Sequence, residues 1–278
     1  MKKLLTFTLL FSLVFIISGC GKAGSDVEIT NFEINEVPVT VSTVDFEMEQ
    51  ATIEEKAEIE KKESELEPLP STYDTDVLFA SQAPFANWSL PYQEACEEAS
   101  LIMAYKYFAN QALDKKIMDD EIKGLVEWQL DNFGYYTDTN LEEVAIIANE
   151  YFNLDVEISD NVSIENIKRQ LVNGNLIIIP ASGRDLGNPN FTTPGPLFHM
   201  LVIRGYDRNE FITNDPGTRK GLKFKYKYQT LIDAIHDLPI IEGKKFRPYE
   251  EESVADSVKL SRIRSGPKQI LIIKGLIK

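Results

Sequence analysis

The chain has 278 residues and a formal net charge of −15, with 44 acidic and 29 basic side chains but only two cysteines and two histidines. Acidity on this scale argues against nucleic acid as a partner, since phosphate-binding surfaces are basic. The scarcity of thiols and imidazoles keeps the list of candidate site residues short.

In chain order, Lys2 and Lys3 precede an uncharged apolar run from Leu4 to Ile17 that ends in Ser18, Gly19 and Cys20. The run is too short for a spanning helix and reads as an export signal. Ile17-Ser18-Gly19-Cys20 resembles the bacterial lipobox, in which the signal is cut just before the cysteine and the thiol is diacylated. The resemblance implies a signal peptide over 1–19, a lipidated N-terminus at Cys20 and an extracytoplasmic, lipid-anchored protein. Two acyl chains, at about 0.8 kcal/mol per buried methylene, anchor stably where one is marginal. The alternative makes Cys20 an ordinary small residue.

Residues 20–72 read as an acidic tether: from Gly21 to Thr72 there are fourteen acidic residues against four basic ones. Val37 to Val44 alternates like a short strand. Thr52 to Glu67 has the composition of a solvated helix, with pairs such as Glu58 and Lys62 four apart. A charged spacer is the expectation.

Residues 73–278 are long enough for one domain with a substantial core. Apolar periodicity predicts helices near Ala95 to Asn110, Ile117 to Asn132, Leu141 to Phe152 and Ser163 to Val172. Strands are predicted at Leu176 to Ala181, His199 to Tyr206, Glu210 to Asn214 and Gln269 to Lys274, with a helix near Tyr228 to Leu238. Helices gathered before strands predict an α+β domain.

With Cys20 assigned to the lipobox, Cys96 has no disulfide partner, so it is either a buried small residue or a reactive thiol. It follows a proline-marked loop and opens a helix, where free amides and the helix dipole favour a thiolate. Glu94, Glu97 and Glu98 oppose this, so a nearby imidazole is required. His199 offers one at the start of a strand beside a Gly-, Pro- and Asn-rich loop. If that strand pairs with the one ending at Asn214-Asp215-Pro216-Gly217, Asp215 comes level with His199, giving nucleophile, base and orienter. Asn214 is the alternative orienter. His236 reads as a surface histidine, and Cys96, His199 and Asp215 form a poor zinc signature because they are scattered.

Gln93-Glu94-Ala95-Cys96-Glu97-Glu98-Ala99-Ser100, then His199 to Asp207, then Asn214-Asp215-Pro216-Gly217-Thr218 together resemble the ordered motifs of bacterial cysteine peptidase family thirty-nine. The resemblance spans residues 80 to 275. It implies a papain-like fold, N-terminal helices packed on a C-terminal antiparallel sheet. Cys96 is then nucleophile, His199 general base and acid and Asp215 orienter, acting on a peptide or protein substrate with no cofactor and no metal. Two departures stand out. Members that trim bacteriocin leaders carry an oxyanion glutamine six residues before the cysteine, where this chain has Leu90 and offers Gln93 instead. They also carry Gly after the cysteine, where Glu97 stands. A catalytically silent peptide-binding domain and a thioester-forming amide or acyl transferase remain alternatives.

Overall fold

The computed structural model describes residues 67–278. The expected signal peptide, the lipidation at Cys20, the strand over 37–44 and nearly all of the helix over 52–67 lie outside the described residues.

The organising element is a seven-stranded antiparallel sheet whose main path runs β2-β9-β3-β4-β5-β6. Its strands are β1 (Tyr73–Asp74), β2 (Leu154–Ser159), β3 (Leu176–Ser182), β4 (Phe198–Tyr206), β5 (Glu210–Asn214), β6 (Phe224–Lys227) and β9 (Ile270–Leu276), with β1 paired to the outer end of β4. A separate ribbon joins β7 (Ile240–Ile241) to β8 (Lys244–Lys245). Among the described residues six α-helices accompany them: α1 (Cys96–Phe108), α2 (Lys115–Asn132), α3 (Leu141–Glu150), α4 (Ile164–Val172), α5 (Tyr228–Ala234) and α6 (Asp256–Ile263). This is an α+β domain.

Strands β3 and β4 are buried along their whole length because both sheet faces are covered. Side chains alternate across a strand. Ile178, Met200, Val202, Leu271 and Ile273 therefore pack with α1, α2 and α3. Their neighbours Ile177, Ile179, Leu201, Ile203 and Ile272 pack on the other face with α4 and α5. A sheet sandwiched in this way reads as continuous apolar runs rather than alternation, which is why β3 and β4 are legible as strands.

Helix starts follow local chemistry. Asp114 caps α2 through the amides of Lys116 and Ile117, Asn140 and Glu143 form a reciprocal capping box at α3, and Ser163 caps α4. Helix α1 differs: its N-cap is Ala95, which supplies no side-chain acceptor, so its first amides are left for another partner. The helix predicted to reach Leu238 ends at Ala234, because Ile235 bridges to Ala181 and the His236 amide bonds to Pro180 O.

Candidate functional site

Cys96 and His199 line one cavity of about 1020 Å³, Cys96 from the first residue of α1 and His199 from the second residue of β4. They are 6% and 2% exposed. The 3₁₀ turn Tyr92–Glu94 delivers the chain to Cys96. The loop from Pro189 to Leu197 supplies another stretch of lining, and Gly217 to Lys220 a third.

The imidazole is fixed from one side. His199 Nε2 lies 2.8 Å from Asp215 Oδ1, and Asp215 is fully buried. The register of β4 with β5 sets Asn214 opposite Val202, and Asp215, just beyond the strand, reaches back to the ring. Its other oxygen accepts from the Tyr226 hydroxyl at 2.6 Å and from Asn188 Nδ2 at 3.0 Å, while the Gly217 amide donates to Oδ1 at 3.0 Å. Burial alone would raise the Asp215 pKa, but His199, the Tyr226 hydroxyl and the Gly217 amide outweigh it and hold the carboxyl below its ordinary range. Phe191 meets the His199 ring edge-on at 5.3 Å. Gly217 packs against both rings, where an added Cβ would stand 2.8 Å from His199 Cε1 and 3.0 Å from Phe191 Cε1. With Nε2 engaged by Asp215, Nδ1 is the ring nitrogen left for a thiol.

Asn214, the other sequence candidate for orienter, faces elsewhere. Its amide donates to the carbonyls of Val77 and Leu78, both at 3.1 Å. His236 is half-buried, with Nδ1 3.2 Å from Gly266 O, and burial lowers its pKa.

The thiol has a different environment from the one the helix start alone suggests. Cys96 Sγ donates to Glu97 Oε2 at 3.0 Å. Burial pushes the thiol pKa well up and Glu97 adds to this, while the Met200 amide on β4 acts the other way. Glu98 and Asp138, buried nearby, are both pushed up to about 7, chiefly by burial.

Gln93 is exposed and lines the same cavity as Cys96, and its amide donates to Glu94 Oε1 at 3.0 Å. A glutamine that sequence reasoning passed over, Gln82, is buried, lines the same cavity and donates to the carbonyls of Tyr92 and Gln93, at 2.9 and 3.2 Å. Its own Oε1 has no partner among the described residues. Gln82 thus clamps the turn that presents Cys96. The segment carrying it is held in turn: the amide of Gln82 and the hydroxyl of Ser81 both bond to Pro216 O at 3.0 Å, next to Asp215. Upstream, fully buried Arg204 donates to Asp74 Oδ1 and to Val77 O, each at 2.7 Å, and to Thr75 O. A charged residue directly after the apolar run Met200 to Ile203 of β4 was the signal available for Arg204. Gln82 carried none beyond being a glutamine ahead of the cysteine.

The match to known sequences coincides with this site. Residues 75–235 match the model of the Peptidase_C39 like family, which takes in the Gln82 segment, the start of α1 and the β4–β5 unit. The chain belongs to that family. Its described domain is therefore a cysteine-peptidase-like one. No curated protein matches the chain. Among solved structures it is similar to a Bacillus anthracis protein named as a C39-like peptidase, with 16% identity, a TM-score of 0.42, and coverage of 73% of this chain and 98% of that one. Among the described residues no group of His, Cys, Asp or Glu is arranged to hold a metal, and no helix is long and apolar enough to cross a membrane.

Proposed function

We propose that this family member is a lipid-anchored, extracytoplasmic thiol peptidase that hydrolyses peptide bonds with Cys96, His199 and Asp215. The observation that carries the reading is the buried 2.8 Å contact of His199 Nε2 with Asp215, set beside a cavity that Cys96 also lines. Asp215 fixes the ring so that Nδ1 takes the thiol proton, and the thiolate attacks the peptide carbonyl. The tetrahedral oxyanion is stabilised by the amide of Cys96, at the uncapped start of α1. His199 then gives its proton to the leaving amine, and water hydrolyses the thioester with His199 as base. Gln93 was the glutamine closest in sequence to the family's oxyanion position. Both glutamines line the cavity, Gln93 exposed beside the thiol and Gln82 buried, where it supports that pole through the turn it clamps.

Anchoring rests on the Ile17-Ser18-Gly19-Cys20 sequence, with the acidic stretch over 20–72 as spacer and residues 73–278 as the catalytic unit. The substrate is a peptide or protein, and no nucleic acid is involved. Cys20→Ala is expected to release the protein or leave its leader uncut.

A second reading, a catalytically silent domain that binds peptides, is favoured by the Cys96 thiol donating to Glu97 instead of pairing with the imidazole. Labelling by a thiol-directed activity probe, followed by profiling on a peptide library, separates the two. Probe labelling lost in His199→Ala, together with cleavage of any library peptide, supports the peptidase. Labelling indifferent to His199 and an uncut library support the silent domain.

A further inference from the structure

The proton of Cys96 is directed at a carboxyl. Sγ and Glu97 Oε2 are 3.0 Å apart, and both side chains are buried. An anionic acceptor against the sulfur keeps it a thiol, because a thiolate there would face a like charge in a poorly solvated setting. Glu97 is itself crowded. Glu98 follows it on α1, Asp138 approaches from the loop before α3, and Glu94 of the 3₁₀ turn acts on Glu98, which Gln129 of α2 holds by a hydrogen bond. On the strand side stand the Met200 amide, which favours the ionised sulfur, and His199, which lines the same cavity.

We propose that Glu97 is a positioning residue that locks Cys96 in its protonated form, and that protonation of Glu97 releases the nucleophile. The proposal rests on Cys96 being the nucleophile. With Glu97 ionised, the thiol donates to it and stays neutral. Once Glu97 is a neutral acid the sulfur loses its anionic neighbour, and the thiol proton passes to His199 Nδ1: the S–H bond breaks, an N–H bond forms, and a thiolate–imidazolium pair results with no other reactant. The lock is present above the folded-state pKa of Glu97 and is lost as pH falls through it. Burial, reinforced by Glu98, raises that pKa well above the ordinary carboxylate range, so release does not require strong acid.

The test is the rate of Cys96 alkylation by iodoacetamide in the full mature chain, wild type against Glu97→Gln, across the pH range in which both remain folded by thermal unfolding. The ratio of variant to wild-type rate should be close to one at the acid end and rise to about tenfold or more at the alkaline end, since one pKa unit is a tenfold change in thiolate. The same rise is expected when both proteins also carry His199→Ala, because the lock acts on the thiol directly. A ratio that does not vary with pH, or a variant slower throughout, overturns the proposal. Should Glu97→Gln not fold, Glu97→Asp draws the carboxylate back by one methylene and should give a smaller increase of the same pH shape, and no increase overturns it equally. Failure of the peptidase reading would look different: no library peptide cut, with the alkylation pattern intact.

Discussion

Asp215 and Asn214 are adjacent, yet their side chains serve different structures, and their substitutions should separate cleanly. Asp215→Asn keeps the shape but cannot hold an imidazolium, so kcat/KM should fall by about 10²–10⁴-fold in the folded protein. Asn214→Ala frees the carbonyl of Leu78, takes one of two donors from that of Val77, and should lower the unfolding midpoint while the folded fraction keeps most of its turnover. If Asn214→Ala is the more damaging to kcat/KM in folded protein, Asn214 rather than Asp215 serves His199. Cys96→Ala should abolish probe labelling and His199→Ala should nearly do so. At this scale the sequence exposes what is rare: one unpaired thiol and one imidazole at a strand start, with an Asp-Pro turn following. The Cys96–Glu97 bond was not legible, since its existence depends on which rotamers the packed start of α1 allows. Gln82 was not legible because its partners are backbone carbonyls, which leave no pattern in side-chain spacing.

The segment from Tyr73 to Gln82 has little regular structure, yet Arg204 pins it to β4 from within the core. Arg204→Met would leave the Thr75 carbonyl without its donor and take one donor each from Val77 O, which keeps Asn214, and from Asp74, which keeps Lys223. A loss of about 3 kcal/mol is expected, because breaking a buried ion pair leaves polar groups unpaired. A urea titration should show a lower midpoint at an unchanged slope. A midpoint within error of wild type would mean that the segment is not held by Arg204. The elements themselves were largely readable. Helices α1 to α4 and strands β3, β4, β5 and β9 fall where apolar periodicity sets them, to within a few residues. Strand β2 escaped although Leu154-Asp155-Val156-Glu157-Ile158-Ser159 alternates strictly, because it is short and wedged between two helices. Helix α6 escaped because its apolar stripe amounts to Leu260 and Ile263 beside a buried Lys259 whose charge is satisfied by Pro248 O.

For the molecule as a whole, buried acids set the pH response. Glu98, Asp138 and Asp237 have folded-state pKa values of about 7, raised mainly by burial. In an unfolded chain carboxyls titrate near 4. Between those limits the folded state binds more protons, so these groups lend full stability below about pH 4 and lose it as pH rises to about 7. Groups such as Asp215, Asp185 and Asp207, whose pKa values are lowered, act in the opposite sense at the acid end. The unfolding temperature should therefore be highest on the acid side of neutrality and fall towards neutral pH, by about 2–4 °C for each kcal/mol lost. A temperature that climbs steadily from about pH 5 to 8 would contradict this. A chain beginning at Tyr73 should stay soluble and keep its probe labelling, losing the Tyr206 hydroxyl bond to Pro70 O. Aggregation of that chain alone would make residues before Tyr73 part of the fold. Sheet order has a consequence for synthesis. Strand β9, last of the described strands to emerge, sits between β2 and β3, which have no direct pairing with each other. A partly translated chain that lacks residues 270–276 therefore leaves β2 without a partner beside a sheet of β1 and β3 to β6, and the frame behind α1 closes only when β9 is threaded into the gap. The helix that begins at Cys96 thus gains its full backing only after β9 is paired on both sides.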